Sequence, residues 1–535
     1  MSRSGRPPAF PPPGHTLQEA LLSHLDRRRD RPFLIDTTAG RTFTYGEFHG
    51  AACGLAGSLR GMGLSRGDRV AAVLNNSAEF AALYFACLYL GVTAVPVNPW
   101  LHPNDVAFIL ANCGASALAL GPATEALVPL EVIARLRDRL LCLPAPGETA
   151  SPSAATAWSA AAPGEPPAAW TPLDGVVQGD LFSITFTSGT TSRPKGVPQA
   201  VGSLLPCAAS FNDLLGFGPD HCFYHVLPMS YMAGFLNMLL CPFLAGASVV
   251  LSRGFDACMA LDFWKSPMRH GADSMWLVPS MLSALLRVDR DDAGRAYCRE
   301  QVRAICVGTA PLAAAVKREF EARYGATLME SYGLSETLFV SGNSGTFPQR
   351  PGSVGKLLAE VEVKTVADDG RDLPPGAEGE ILIKTPFMMS GYLDYDTLRP
   401  GEAPAEWFPS GDIGRLDSEG YLFITGRKKD LIIRGGVNIS PRAVEDVILG
   451  HEAVAGAAVV GAPDELYGES VAAFVKLKPG RMLAEALPSL QELCRRSLTA
   501  LAVPGRFIEL SEFPVNATGK VQKRDLKARL SSPRS

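Results

Sequence analysis

The sequence predicts an α/β protein with a large N-terminal domain of β-α-β layered sheets and a small mobile C-terminal α+β domain. Three observations predict it. The chain has 535 residues, more than one hydrophobic core usually serves. Strand and helix signals alternate through most of the chain. The texture then changes to short strands and a compact α+β unit near Lys429.

The elements follow in order. Met1 to Gly14 is rich in Pro, Gly and Arg without an apolar run and reads as a disordered leader, not a signal peptide. The large domain is expected over 15–428. In it Val70–Leu74 reads as a buried strand, Ala78–Leu90 as a helix, and Thr93–Val97 as a strand ending before Pro99. Ala145–Pro172 is Pro/Ala/Ser-rich and reads as an exposed loop, and Leu181–Phe186 as the next strand. Val226–Leu251 is the most apolar stretch, but Pro228, Ser230, Asn237, Pro242 and Gly246 interrupt it. It therefore reads as a buried helix and strand, not as a membrane span. Gly379–Lys384 and Tyr421–Thr425 are short strands. In the small domain, expected over 429–535, Val444–Leu449 is a helix, Ala455–Val460 and Ser470–Leu477 are strands, and Leu487–Leu498 is a helix with Pro488 in its first turn.

Composition removes several function classes. Hydrophobic content of 47% against 19% charged describes a globular chain. A net charge of −4 gives no reason to expect nucleic acid. The 11 cysteines are scattered without a C-x-x-C pair, which argues against a disulfide framework or zinc site and for a reducing, cytoplasmic compartment.

One loop carries the main chemical signal. Thr187-Ser188-Gly189-Thr190-Thr191-Ser192-Arg193-Pro194-Lys195-Gly196 follows a predicted strand directly. Glycine lets backbone approach an anion, hydroxyls and amides donate hydrogen bonds, and lysine adds a point charge. The spacing is not the P-loop pattern. Taken alone, the segment reads equally as a phosphate cradle or a flexible polar turn.

This loop resembles the signature T-S-G-T-T-G-x-P-K-G of the adenylate-forming superfamily, which includes acyl-CoA synthetases, nonribosomal-peptide adenylation domains and luciferases. Ser192 replaces the usual Gly. The likeness runs on in the family's order from about Thr42 to Leu526. Leu227-Pro228-Met229-Ser230-Tyr231-Met232-Ala233-Gly234 is similar to L-P-x-x-H-x-x-G, with Tyr231 where His is frequent. Gly308-Thr309-Ala310-Pro311-Leu312 resembles G-G-A-P-L, and Tyr332-Gly333-Leu334-Ser335-Glu336-Thr337 resembles Y-G-x-T-E. Gly411-Asp412 and Gly426 to Asp430 resemble the ribose and hinge motifs, and Pro514 to Lys520 the C-terminal lysine motif.

The resemblance implies ATP- and Mg²⁺-dependent activation of a carboxylic acid to an acyl-adenylate, then transfer to the thiol of coenzyme A. It implies that Thr187, Ser188, Gly189, Thr190, Thr191 and Lys195 hold the β- and γ-phosphates. It places Glu336 on Mg²⁺ with Ser335 and Thr337 nearby, Tyr332 on adenine beside Gly333, Gly308, Thr309 and Ala310, and Asp412 on both ribose hydroxyls. Arg427 would contact ribose or phosphate, and Lys520 would bridge the carboxylate and the α-phosphate. Lys429 corresponds to the hinge, and Gly435 and Gly436 to the thiol approach. By the same resemblance the acyl pocket holds Tyr231, Met232, Phe235, Trp276, Met281, Leu334 and Leu338. The amino-acid-activating relatives carry an Asp in the Tyr231 to Phe235 segment, and none occurs here. An unpaired buried ammonium is costly, so a fatty, aromatic or bulky alicyclic acid is expected. The luciferase lysine falls at Ile433, which disfavours that activity. Alternatives remain: adenylation alone with transfer to a carrier protein acting in trans, or a degenerate nucleotide- or acid-binding homologue.

Overall fold

Parallel strands bury both faces, so their order and covering helices decide where loops can form a site. The computed structural model describes residues 10–12, 15–144, 156–157, 171–187, 193–290, 292–515 and 521–531. Arg69–Val73 lies parallel to Thr93–Val97 and to Ala117–Leu120, which pairs in turn with Leu140–Cys142. Thr93–Val97 also pairs with Leu181–Thr187, and Lys195–Ala200 returns antiparallel beside that strand. The helix Ala78–Leu90 starts at Ser77, whose hydroxyl accepts the Phe80 N–H at 3.1 Å, and stops at left-handed Gly91. It is apolar on nearly every face and buried on nearly every face.

A second sheet runs parallel through Ser248–Leu251, Cys222–His225, Ser274–Leu277, Ala304–Val307 and Leu328–Leu334. It then turns antiparallel through Leu338–Gly342, Ser353–Leu357, Tyr421–Arg427, Phe408–Leu416 and Gly379–Lys384. The changeover falls on the strand that carries Tyr332. Tyr231, Val278 and Thr309 come after the carboxyl ends of strands finishing at His225, Leu277 and Val307. Open α/β sheets bind their ligands at that edge.

Toward the C-terminus, Val454–Asp464 and Gly468–Leu477 form a long hairpin, flanked by Ile432–Arg434, Val437–Ile439 and Arg506–Glu509. With the helices Pro441–Leu449 and Leu483–Ser497 it encloses its own apolar cluster around Val444, Ile448, Val459, Val471 and Leu490.

Three expectations change. Val226–Leu251 does form helix then strand, but its first helical part, Ala233–Leu240, is a wide π-type turn. The helix expected from Leu487 begins at Leu483, so Pro488 lies in its interior and removes one backbone hydrogen bond. The buried face of Ala486, Leu490 and Cys494 offsets that loss. Within Ala145–Pro172, Thr156 pairs with Leu141 as a short strand, and residues 145–155 and 158–170 lie outside the described residues. So does most of the expected leader over 1–14.

Candidate active site

The strands Leu181–Thr187 and Lys195–Ala200 set Thr187 opposite Lys195, so both ends of the hydroxyl-rich loop lie side by side. Ser188, Gly189, Thr190 and Thr191 themselves lie outside the described residues. The loop's exit is fixed from outside. The Tyr395 hydroxyl donates to the Pro194 carbonyl at 2.5 Å and accepts the Gly196 N–H at 3.3 Å. A Cβ at Gly196 would stand 2.9 Å from Cβ of Leu393, which leaves room for glycine only. The Lys195 ammonium sits over the Tyr392 ring, 4.9 Å from its centroid.

Tyr392 joins this loop to Glu336. Its hydroxyl donates to Glu336 Oε1 at 2.8 Å. Burial pushes the Tyr392 phenol up, and the Glu336 charge adds to it, so the ring stays a donor at ordinary pH. Met389 N–H donates to the Glu336 carbonyl at 2.8 Å, and Gln199 Nε2 to the Ser335 carbonyl at 2.5 Å. Ser335 and Glu336 face the cavity. Thr337 does not: it is fully buried, and its hydroxyl makes only a 3.5 Å contact with its neighbour's carbonyl. Gly333 marks a register shift between the strands, and a Cβ there would lie 2.4 Å from the Leu338 carbonyl oxygen.

Tyr332, Asp412 and Arg427 form one hydrogen-bonded group. Asp412 and Arg427 are paired across neighbouring strands, and Arg427 Nε approaches Asp412 Oδ1 at 2.7 Å. The Tyr332 hydroxyl donates to Oδ2 at 2.7 Å. Burial, reinforced by the Asp412 charge, raises the Tyr332 phenol well above its ordinary value. Asp412, expected to accept from both ribose hydroxyls, is only 2% exposed, and both its oxygens are engaged within the protein. Each oxygen has two lone pairs, and a sugar would share them with Tyr332 and Arg427 or displace one.

Of these groups, Thr187, Lys195, Ser335, Glu336, Tyr392 and Arg427 line one cavity of about 1080 Å³, and Tyr332 and Asp412 stand behind Arg427, outside the lining. Its polar end holds Thr187, Lys195, Glu336, Ser410, Arg427 and Lys429, and Thr309 lines it in a left-handed backbone conformation with φ of 69°. Gly308 and Ala310 stand behind Thr309, outside the lining. Lys429 lies in the turn Lys428–Asp430, and burial with the neighbouring Arg427 charge lowers its ammonium. Val515 and Gln522 also line the cavity, and Val515 bridges to Val521. The segment between them carries Lys520, which lies outside the described residues. Gly435 and Gly436 do not reach the cavity. They turn the hairpin from Ile432–Arg434 to Val437–Ile439 with φ of 57° and 80°, beside exposed Ile433.

The other end of the cavity is largely apolar: Tyr231, Met232, Leu236, Trp276, Leu334, Leu338 and Phe339. The Tyr231 hydroxyl accepts Asn98 Nδ2 at 2.6 Å, which leaves its own hydrogen to donate. Two expected pocket residues are elsewhere. Phe235 stacks on Tyr84 at 4.0 Å in the core, because the wide turn aims Ala233, Leu236 and Asn237 at the cavity instead. Met281 is buried on the helix Pro279–Val288. Tyr392, Tyr395, Gln199 and Asn98 were not foreseen. Among the described residues no group of three or more His, Cys, Asp or Glu could hold a metal ion.

A family model described as AMP-binding enzyme matches residues 21–393, and one described as AMP-binding enzyme C-terminal domain matches residues 443–520. The chain belongs to the AMP-binding enzyme family. This places it in the adenylate-forming superfamily. Among the relatives of this AMP-binding enzyme is a sulfoacetate–CoA ligase of Cupriavidus necator, 30% identical over 93% of this chain and 94% of that one. Another is the fatty acid–[acyl-carrier-protein] ligase ScoC of Streptomyces coeruleorubidus, 31% identical over 96% of each chain. The o-succinylbenzoate CoA synthetase of Bacillus subtilis, solved with its acyl-adenylate intermediate, superposes with a TM-score of 0.77 at 28% identity, covering 96% of this chain and 98% of that one.

Proposed function

We propose that this enzyme activates the carboxylate of a mainly apolar acid with ATP and Mg²⁺ and passes the acyl group to coenzyme A. The observation that carries the reading is one cavity lined both by charged and hydroxyl groups, the cations Lys195 and Arg427, the carboxylate Glu336 and the hydroxyls of Thr187 and Ser410, and by the apolar Met232, Leu236 and Trp276. In the first step a carboxylate oxygen bonds to the α-phosphorus of ATP, the bond to the bridging oxygen breaks, and pyrophosphate leaves. Lys195 and the Thr187–Thr191 loop hold the departing phosphates, Tyr332, Asp412 and Arg427 hold the nucleoside, and Lys520 neutralises charge between the carboxylate and the α-phosphate. The Glu336 carboxylate fits Mg²⁺, because Tyr392 occupies Oε1 and no protein donor stands on Oε2 among the described residues. When bound there, the ion offsets phosphate charge.

In the second step the thiol sulfur bonds to the acyl carbon, AMP departs with the bridging oxygen, and the thiol proton goes to solvent. The domains are 15–428 and 429–535, with Lys429 as the pivot that carries Lys520 away and brings Gly435–Gly436 to the thiol. Met232, Leu236, Trp276, Leu338 and Phe339 carry no charge, which disfavours a second anionic group held among them, such as that of sulfoacetate. All eleven cysteines are free and no described helix is long and apolar enough to cross a membrane, which suits a cytoplasmic enzyme.

A carrier-protein thiol is the second reading, favoured by the likeness to ScoC. Purified enzyme with ATP, Mg²⁺ and a panel of apolar acids, with coenzyme A or a phosphopantetheinylated carrier, separates the two by mass spectrometry. Acyl-CoA formed at the rate of adenylation supports the first reading. Adenylate that persists with coenzyme A overturns it.

A further inference from the structure

The apolar end of the cavity contains a polar side chain that the activation chemistry does not use. Asn237 is 7% exposed, lines the cavity, and makes no side-chain hydrogen bond among the described residues. Other buried asparagines are tied to the protein: Asn98 Nδ2 donates to Tyr231, Asn212 Nδ2 to the Cys241 carbonyl at 2.8 Å, and Asn343 Nδ2 to the Ser353 carbonyl at 2.9 Å. Asn237 sits in the wide turn Ala233–Leu240, a geometry that is rare and concentrated at functional sites. The turn is held in place by a close approach. A Cβ at Gly234 would lie 2.0 Å from the Pro228 carbonyl oxygen, so the chain folds back there on glycine alone. Next to Leu236, this geometry presents an amide to the ligand space.

Ser331 gives a second, independent observation. It lines the same cavity from the strand Leu328–Leu334, and its hydroxyl also has no hydrogen bond among the described residues. A Cβ built at Gly308 would stand 3.0 Å from Ser331 Oγ and 3.1 Å from the Trp276 ring, which puts the hydroxyl beside the indole on the acyl wall. In the free enzyme, water can satisfy both groups. An all-carbon acyl chain would expel that water and leave the amide unpaired, which is unfavourable.

We infer that the acid this enzyme activates carries, away from its carboxylate, an uncharged oxygen- or nitrogen-bearing group that hydrogen-bonds to the Asn237 amide. The inference rests on the acid-activating reading above and narrows its substrate class. An amide both donates and accepts, so it takes a ketone, hydroxyl, ether or carboxamide, whereas Met232, Leu236 and Trp276 beside it carry no charge to take a second carboxylate or an ammonium. Met232, Leu236 and Trp276 hold the hydrocarbon around that group by burial.

The test uses acids in pairs of equal length, one with plain hydrocarbon beyond the carboxylate and one with an oxo or hydroxyl group at successive positions. Acid-dependent pyrophosphate exchange gives kcat/KM for each. The wild type is expected to favour the oxygenated acid at one position by about tenfold or more, the worth of one buried hydrogen bond. Asn237→Leu, similar in volume and without the amide, should bring that ratio to one or below. Should Asn237→Leu fail to fold, Asn237→Ala and the wild-type series carry the same test. Equal or poorer use of the oxygenated acid at every position overturns the inference. So does a wild-type preference that survives in the Asn237 variant. Absence of exchange with every acid overturns the activation reading itself, and with it the inference.

Discussion

Removing the Tyr392 hydroxyl should weaken the proposed Mg²⁺-nucleotide site at Glu336 without disturbing the fold. Tyr392→Phe keeps the ring beneath the Lys195 ammonium, 4.9 Å away, and deletes only the 2.8 Å hydrogen bond to Glu336. Hydrogen bonds to charged groups are worth about 1.5–3 kcal/mol. At 1.4 kcal/mol per tenfold, the loss is about ten- to a hundredfold in kcat/KM for ATP, provided the bond orients Glu336 in the transition state. The Mg²⁺ concentration for half-maximal rate should rise, since a freer carboxylate is a poorer ligand. The melting temperature should change little, because Tyr392 is only partly buried. Steady-state pyrophosphate exchange over an Mg²⁺ series reads both effects. Unchanged Mg²⁺ dependence with unchanged kcat/KM would refute the claim that Tyr392 positions Glu336.

Further outcomes follow from the same geometry. Lys520→Ala should abolish adenylation yet still convert added acyl-adenylate to thioester, read by following each half-reaction separately; equal loss of both would contradict a role confined to the first. Gly234→Ala forces a Cβ against the Pro228 carbonyl and should cost about 1–3 kcal/mol as overpacking, seen as a lower unfolding midpoint in urea. His24 is buried and held neutral, its Nε2 2.7 Å from the Phe243 carbonyl and its Nδ1 3.2 Å from the Arg28 guanidinium. Burial, and then the Arg28 charge, lower it to about 4, below its unfolded value of 6.5. Its contribution is therefore complete above pH 6.5 and lost as pH falls toward 4, and His24→Gln should flatten that part of the stability curve in urea titrations. An identical pH slope in the variant would rule His24 out.

How much of this was readable in the chain depended on the range of the interactions. The strand Leu181–Thr187 was legible because its apolar β run is local, whereas its antiparallel return in Lys195–Ala200 was not read from the sequence. The strands and helices between Val70 and Val97 were legible because their periodicity is local. The commitment of both Asp412 oxygens was not legible, because it depends on the register with Arg427 and on Tyr332, eighty residues away in sequence. Phe235 was placed in the pocket by resemblance and Asn237 was read only as an interruption of an apolar stretch; the wide turn that sends Phe235 to the core and Asn237 to the cavity has no local sequence pattern. Thr337 shares a motif with Ser335 and Glu336, yet the tight return into Leu338–Gly342 buries it. Tyr392 and Tyr395 carry no motif of their own, and only their approach to Glu336 and Pro194 gives them meaning.

The central claim is that one cavity joins a nucleotide to an apolar carboxylate and makes an acyl-adenylate. Incorporation of labelled pyrophosphate into ATP tests it most directly, with purified enzyme, Mg²⁺ and a broad panel of acids. The account predicts exchange that requires an acid and disappears in Glu336→Ala. ATP binding without exchange for any acid would contradict it and leave a nucleotide-binding homologue in place of an enzyme.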